Sequence, residues 1–135
     1  MAQQVVIDSD VLSELFRGNP PVVTRARDYL AEYGQLNISI ITQYEILRGL
    51  KAKQATRQLE RFEQFCAQNR IIPVSSDVVA RGADIYAILR SQGTIVGDAD
   101  ILIAASALSQ GFGVATNNEN HFSRIPDLIV ENWLK

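Results

Sequence analysis

Val5-Val6-Ile7-Asp8-Ser9-Asp10-Val11-Leu12-Ser13-Glu14-Leu15-Phe16 is the stretch on which the reading of the fold turns. Three β-branched residues in succession favour a short extended strand, and the run stops abruptly at three polar residues. Val11, Leu12, Leu15 and Phe16 then recur at helical spacing, so the stretch reads as strand, polar turn, helix.

The same alternation continues outward. Gly18-Asn19-Pro20-Pro21 stops the first helix, and a second is expected from about residue 21 to 33, with Val22, Ala26, Tyr29 and Leu30 on one face and Gly34 at its end. Residues 36–40 alternate as a strand. Thr42 opens a helix carrying Tyr44, Ile46, Leu47 and Leu50, and another amphipathic helix is expected over about 55–68. Residues 71–74 form a short strand in which Pro73 argues for an edge or terminal position, and Ser76-Asp77 starts a helix reaching Leu89. Residues 101–108 are apolar on nearly every face, which predicts a central buried helix. Strands over 114–116 and 128–130 complete the chain, the second after a loop holding His121, Phe122 and Pro126. Strands alternating with helices imply an α/β fold, three-layer α/β/α, around a central, mostly parallel sheet of four to five strands.

A chain of 135 residues with 47% hydrophobic content is sized for one domain spanning residues 1–135. Cys66 is the only cysteine and sits among apolar neighbours at helical spacing, so no disulfide closes within the chain and a reducing, cytoplasmic setting is expected. No run approaches the roughly 20 apolar residues of a membrane helix, so no membrane partner is expected. The net charge of −2 neither supports nor excludes a nucleic-acid substrate, although arginine makes up most of the 13 cations.

Ligands of parallel sheets bind beyond the carboxyl ends of the strands. Asp8, Glu45, Asp100 and Asn118 each follow a predicted strand or open the helix after one. Taken singly, these acids have a structural explanation. Asp8 and Asp10 suit a helix cap, Thr42-Gln43-Tyr44-Glu45 matches a capping box, and Asp98 or Asp100 suits the start of the buried helix. Capping alone, however, would be served as well by serine or asparagine. If the strand ends converge, carboxylates about 4 Å apart repel by roughly 4 kcal/mol per pair, and a cation must offset this. Oxygen-only ligands select a hard ion, Mg²⁺ or Mn²⁺, which suits phosphodiester hydrolysis. With His121 as the only histidine, neither a two-histidine ribonuclease nor a structural zinc site can be assembled with ease.

These segments resemble the PIN-domain family, and among its members the VapC-type toxins of bacterial toxin–antitoxin pairs. Val6-Ile7-Asp8-Ser9-Asp10-Val11-Leu12 resembles the family's opening segment. Ser39-Ile40-Ile41-Thr42-Gln43-Tyr44-Glu45-Ile46-Leu47-Arg48-Gly49 is similar to its second motif, and Asp100-Ile101-Leu102-Ile103-Ala104-Ala105-Ser106-Ala107 to its third. Thr116-Asn117-Asn118 through Phe122 resembles the fourth, with departures: Asn118 stands where many members have aspartate, His121 where an acid is frequent, and Asp10 replaces the usual asparagine. The resemblance implies a metal-dependent endoribonuclease cleaving RNA, often transfer RNA, forming a homodimer and silenced by a small antitoxin. Asp8 and Asp100 are then expected as metal ligands, Glu45 as a ligand or water-positioning base, Asn118 as auxiliary, and Asp98 as a ligand to a second ion. Arg48, Lys51 and Lys53 are candidates for guiding phosphate. The helices between Gln43 and Phe65, with Leu59, Phe62 and Phe65, are candidates for dimer or antitoxin contact, a core-packing role being equally compatible.

Two rival readings use the same residues. Asp8-Ser9-Asp10 and Gly97-Asp98-Ala99-Asp100 also resemble haloacid-dehalogenase-type phosphatases, which need a nucleophilic aspartate and a nearby lysine, with Lys51, Lys53 and Lys135 the only candidates. A catalytically inactive PIN-like binding module would keep the fold without needing the acids.

Overall fold

The computed structural model describes residues 3–135. The chain runs β1 (Val5–Ile7), α1 (Ser9–Phe16), α2 (Pro20–Tyr33), β2 (Asn37–Ser39), α3 (Ile40–Ala52), α4 (Thr56–Gln68), β3 (Arg70–Ile72), α5 (Ser76–Ser91), α6 (Asp98–Ser109), β4 (Gly113–Ala115), α7 (Glu119–Phe122) and β5 (Val130–Glu131). The expected elements are present, with strand boundaries displaced by one or two residues. The short helix α7 lies in what the pattern reads as a loop.

All strand pairs are parallel: β1 with β4, β4 with β5, and β2 with β3. Since β2 also lies beside β1, the order across the molecule is β3, β2, β1, β4, β5. The single sheet of four to five strands expected from sequence is nevertheless split, because no ladder joins β1 to β2 among the described residues. Two side chains occupy the seam. The Val5 N–H donates to the Tyr29 hydroxyl at 3.2 Å, and Asn37 Nδ2 donates to the Val5 carbonyl at 3.1 Å and to the Tyr29 hydroxyl at 2.9 Å. On the side facing β2 the backbone groups of Val5 are thereby satisfied by side chains and not by a strand ladder.

Strand alternation sorts the core into two layers. Val5 and Ile7 face Val11, Leu12, Val22, Tyr29, Phe62 and Trp133, while Val6 and Val114 face Val78, Ile85, Leu89, Ile103 and Phe122 on the other side. Helices α1, α2 and α4 therefore cover one face and α5 and α6 the other, which is the three-layer arrangement expected. Helix α6 is buried from Ile103 through Ala107, as its unbroken apolar run requires. It is approached closely by α5 at Gly82, where a Cβ would stand 3.4 Å from Leu102 Cδ2.

Three local expectations are corrected. Helix α3 begins at Ile40 behind Ser39, whose Oγ accepts from the Ile41 N–H at 3.1 Å, so Thr42 and Glu45 form no capping box. Helix α6 opens at Gly97 with no side-chain cap, which leaves Asp98 and Asp100 inside its first turn near the positive end of the helix. Phe62 is not a docking residue: it is buried, and its ring meets those of Phe16 and Phe65 in an aromatic cluster between α1 and α4. Pro73 falls just beyond β3, a strand with only one neighbour, in keeping with its missing N–H. No helix among the described residues is long and apolar enough to cross a membrane.

Candidate active site

From β1 the chain builds outward to β2 and β3 on one side and later to β4 and β5 on the other, so the direction of winding reverses between β1 and β4. Crevices form at such a reversal, beyond the strands' carboxyl ends. Here the parallel register pairs Ile7 with Ala115, which makes Asp8 and Thr116 the next residues out. The Asp8 N–H donates to the Ala115 carbonyl at 2.9 Å, and Thr116 Oγ1 donates to Asp8 Oδ2 at 2.9 Å. The other carboxylate oxygen of Asp8 accepts from the Ser9 N–H at 2.8 Å, so Asp8 does cap α1.

Asp8 is only 6% exposed. Burial, followed by the charge of Asp10 and more weakly that of Asp100, pushes its pKa up to about 6, against the downward pull of the Thr116 hydroxyl and the Ser9 N–H. Asp10 is also raised, chiefly by burial with a contribution from Asp100. Its carboxylate accepts from the Val11 N–H at 2.7 Å and the Asn117 N–H at 3.0 Å, which ties α1 to the loop after β4. Asp8, Asp10 and Asp100 thus lie within one another's fields.

Glu45 approaches from α3. Ser9 Oγ donates to Glu45 Oε1 at 2.7 Å, with Asp8 Oδ1 at 3.5 Å from the same hydroxyl, so a single serine links the two acids. Asp100, in the first turn of α6, meets His121 of α7: Nδ1 lies 2.7 Å from Asp100 Oδ2. The Asn118 amide is 2.8 Å from that same Nδ1, and the Asn118 N–H donates to Thr116 Oγ1 at 2.9 Å. Asp98 is exposed, and no hydrogen bond or ion pair ties it to this group.

Asp8, Glu45, Asp100 and Asn118 are therefore joined through short contacts, and Asp98 stands apart. The sequence pattern gives no role to Ser9, Thr116 or Asn117 and leaves His121 in a loop. Thr116 was detectable as the first polar residue after a strand parallel to β1, in the position matching Asp8. The carboxylates are each held by protein donors, and among the described residues no three His, Cys, Asp or Glu side chains are gathered closely enough to hold an ion as they stand. The donor set fits a hard cation, because it consists of carboxylate oxygens and two of them resist ionisation where no positive charge balances them.

A groove of 260 Å³ runs from Glu45 between α1, α3 and α4, lined by Ser13, Arg17, Lys53, Arg61 and Phe62 among others. Arg48 is exposed and lies over the Tyr44 ring at 5.3 Å. Lys51 is exposed, and Lys135 is bound to Glu119 at 2.8 Å. Glu119 also accepts from Asn132 Nδ2 at 3.0 Å, and Asn132 donates to Asn117 Oδ1 at 3.1 Å, so the C-terminal residues brace the loop that reaches Asp10.

Comparison with known proteins matches residues 5–128 to the PIN domain family. Ribonuclease VapC2 of Rickettsia felis is 28% identical over 131 residues, covering 96% of this chain and 98% of that protein. The tRNA(fMet)-specific endonuclease VapC of Shigella flexneri is 32% identical over 116 residues, covering 85% of this chain and 87% of that one. Among solved structures, a chain of the DNA-bound VapBC from Salmonella typhimurium superposes with a TM-score of 0.85 at 27% identity, covering 98% of this chain and 99% of that chain.

Proposed function

Given that this chain belongs to the PIN-domain family, and within it to the VapC group, we propose that it is a metal-dependent endoribonuclease acting as the toxin of a toxin–antitoxin pair. The observation that carries the reading is Asp8. It is a buried carboxylate at the winding reversal whose ionisation is opposed by two further acids and favoured only by a hydroxyl and one N–H. Evolved folds rarely tolerate such an arrangement without use, and perturbed carboxylates in a crevice mark functional sites.

Asp8 and Asp100 would hold Mg²⁺ or Mn²⁺, with Glu45 completing the set directly or through a water, and Asp98 available to a second ion. When bound, the ion supplies Lewis acidity to water and to the scissile phosphodiester, and neutralises charge gathering on phosphoryl oxygen. The chain's own residues do the rest. Thr116 and Ser9 keep Asp8 and Glu45 oriented without neutralising them. Glu45, reached through Ser9, is the carboxylate placed to accept a proton from the attacking water. Asn118 offers an uncharged amide beside Asp100, suited to a phosphate oxygen. Lys53 and Arg61, along the groove that begins at Glu45, suit the neighbouring phosphates of an RNA strand. The substrate we infer is RNA, transfer RNA foremost, and the partners are a cognate antitoxin and a second copy of the chain.

Neither rival gains support. Among the described residues no lysine is bonded to Asp8, Asp10, Glu45 or Asp100, as a phosphatase of the dehalogenase kind would need, and Lys135 is committed to Glu119. The test is incubation of purified protein with total transfer RNA, with Mg²⁺ or with chelator. Cleavage should require the ion and should vanish in Asp8→Asn and Asp100→Asn variants that retain their circular dichroism. Cleavage by both variants with Mg²⁺ present would reject the assignment.

A further inference from the structure

His121 is the one histidine of the chain, and it occupies the fourth segment at a position where the resemblance leads one to expect an acid. It does not stand free there. Its Nδ1 is 2.7 Å from Asp100 Oδ2, a contact between residues 21 positions apart, made by a four-residue helix against the first turn of α6. A carboxylate can only accept, so the proton of this hydrogen bond resides on Nδ1. Asn118 Nδ2 stands 2.8 Å from the same nitrogen and cannot accept from a protonated Nδ1, so the amide must be turned over to set its oxygen there as a second acceptor.

We propose that His121 is a positioning residue for Asp100. It commits one carboxylate oxygen through Nδ1–H, holds the side chain in one rotamer at the positive end of α6, and leaves the other oxygen to a cation. This rests on the reading of Asp100 as a metal ligand. Phe122, the next residue, is fully buried against the α5 and α6 core, which anchors α7 and so fixes the imidazole relative to α6. A carboxylate at position 121 would bring a further negative charge to Asp100 and could donate nothing when ionised. The imidazole instead restrains Asp100 without adding to the repulsion already felt at Asp8 and Asp10. Groups that hydrogen-bond to a ligating carboxylate typically change metal affinity by about 10- to 100-fold when removed.

The test compares wild type, His121→Ala, His121→Asn and His121→Gln by Mn²⁺ titration, read from the free-ion electron spin resonance signal, with thermal unfolding run in parallel. The Asn amide places a donor where Nδ1 stands, and the Gln amide where Nε2 stands. Mn²⁺ binding should weaken by about tenfold or more in His121→Ala, recover in His121→Asn and not in His121→Gln, with unchanged unfolding temperatures. Equal affinity in all four proteins would overturn the positioning role while leaving the metal site intact. Absence of Mn²⁺ binding by wild type would instead remove the metal site itself, and the positioning role with it. Nitrogen-15 resonances of the single imidazole give a second reading, independent of metal: Nδ1 should carry the proton, and an unprotonated Nδ1 would reject the proposal.

Discussion

Asp8 meets two opposed demands, since the strand end that positions it also removes it from water. With a folded pKa pushed up to about 6 and an unfolded value near 3.8, the folded protein holds this proton more tightly than the unfolded chain. The contribution of Asp8 to stability is therefore intact below about pH 4, falls between pH 4 and 6, and is lost above that. The shift corresponds to about 3 kcal/mol at neutral pH, and an amide at this position forgoes about 1 kcal/mol for the Thr116 hydroxyl that an amide nitrogen cannot accept. Asp8→Asn should thus abolish cleavage yet stabilise the fold by roughly 2 kcal/mol at pH 7.5 in chelator, with little difference at pH 4. Urea unfolding at the two pH values measures this, and a variant equally or less stable than wild type at pH 7.5 contradicts it. Ser9 acts on the other side of the site. Its hydroxyl holds Glu45 at 2.7 Å, so Ser9→Ala should slow cleavage by about tenfold through a hydrogen bond to a charged group worth ~1.5 kcal/mol, with substrate affinity nearly unchanged. Single-turnover kinetics would separate the two effects.

Secondary structure elements place these residues, and here legibility varied with how local the cause was. The opening strand, polar turn and helix were readable because the β-branched run Val5-Val6-Ile7 and the spacing of Val11, Leu12, Leu15 and Phe16 act within a few residues of one another. The buried helix α6 was readable for the same reason. What escaped were effects of register and approach. Thr42-x-x-Glu45 has the form of a capping box, but Ser39 already caps α3, and the pattern could not show that Glu45 is turned toward Ser9 instead. Thr116 gained meaning only once β4 was paired with β1. A similar long-range dependence governs Gly113, where a Cβ would stand 2.5 Å from the Ile129 carbonyl oxygen. Gly113→Ala must push β4 off the segment leading into β5, at a cost of about 1–3 kcal/mol, and should lower cleavage in step because Thr116 directly follows β4. A variant with wild-type unfolding temperature and activity would show that the strands slide apart freely.

Across the whole molecule, chain length, composition and the alternation of elements announced three layers around parallel strands, and that architecture is what the core displays. The split of the sheet was hidden, since it depends on Tyr29 and Asn37 meeting Val5 from different elements. Leu59, Phe62 and Phe65 are contact candidates by spacing, yet Phe62 is buried and the other two half-buried, while the exposed apolar side chains include Tyr44 on α3 and Tyr86, Ile88 and Ile95 on α5 and the loop after it.

The seam has a dynamic consequence. A boundary closed by a phenol and an amide, with no strand-to-strand ladder, divides the sheet into blocks that can open one without the other. The block of β2 and β3 leads into Glu45, while β1, β4 and β5 carry Asp8 and adjoin Asp100. Hydrogen–deuterium exchange should therefore find the Ile38 and Ser39 amides opening at lower free energy than those of Val6 and Val114, and Asn37→Leu should widen the difference. One wall of the candidate crevice would then breathe against the other, and a bulky polymer of the kind proposed as substrate would enter without the molecule having to unfold.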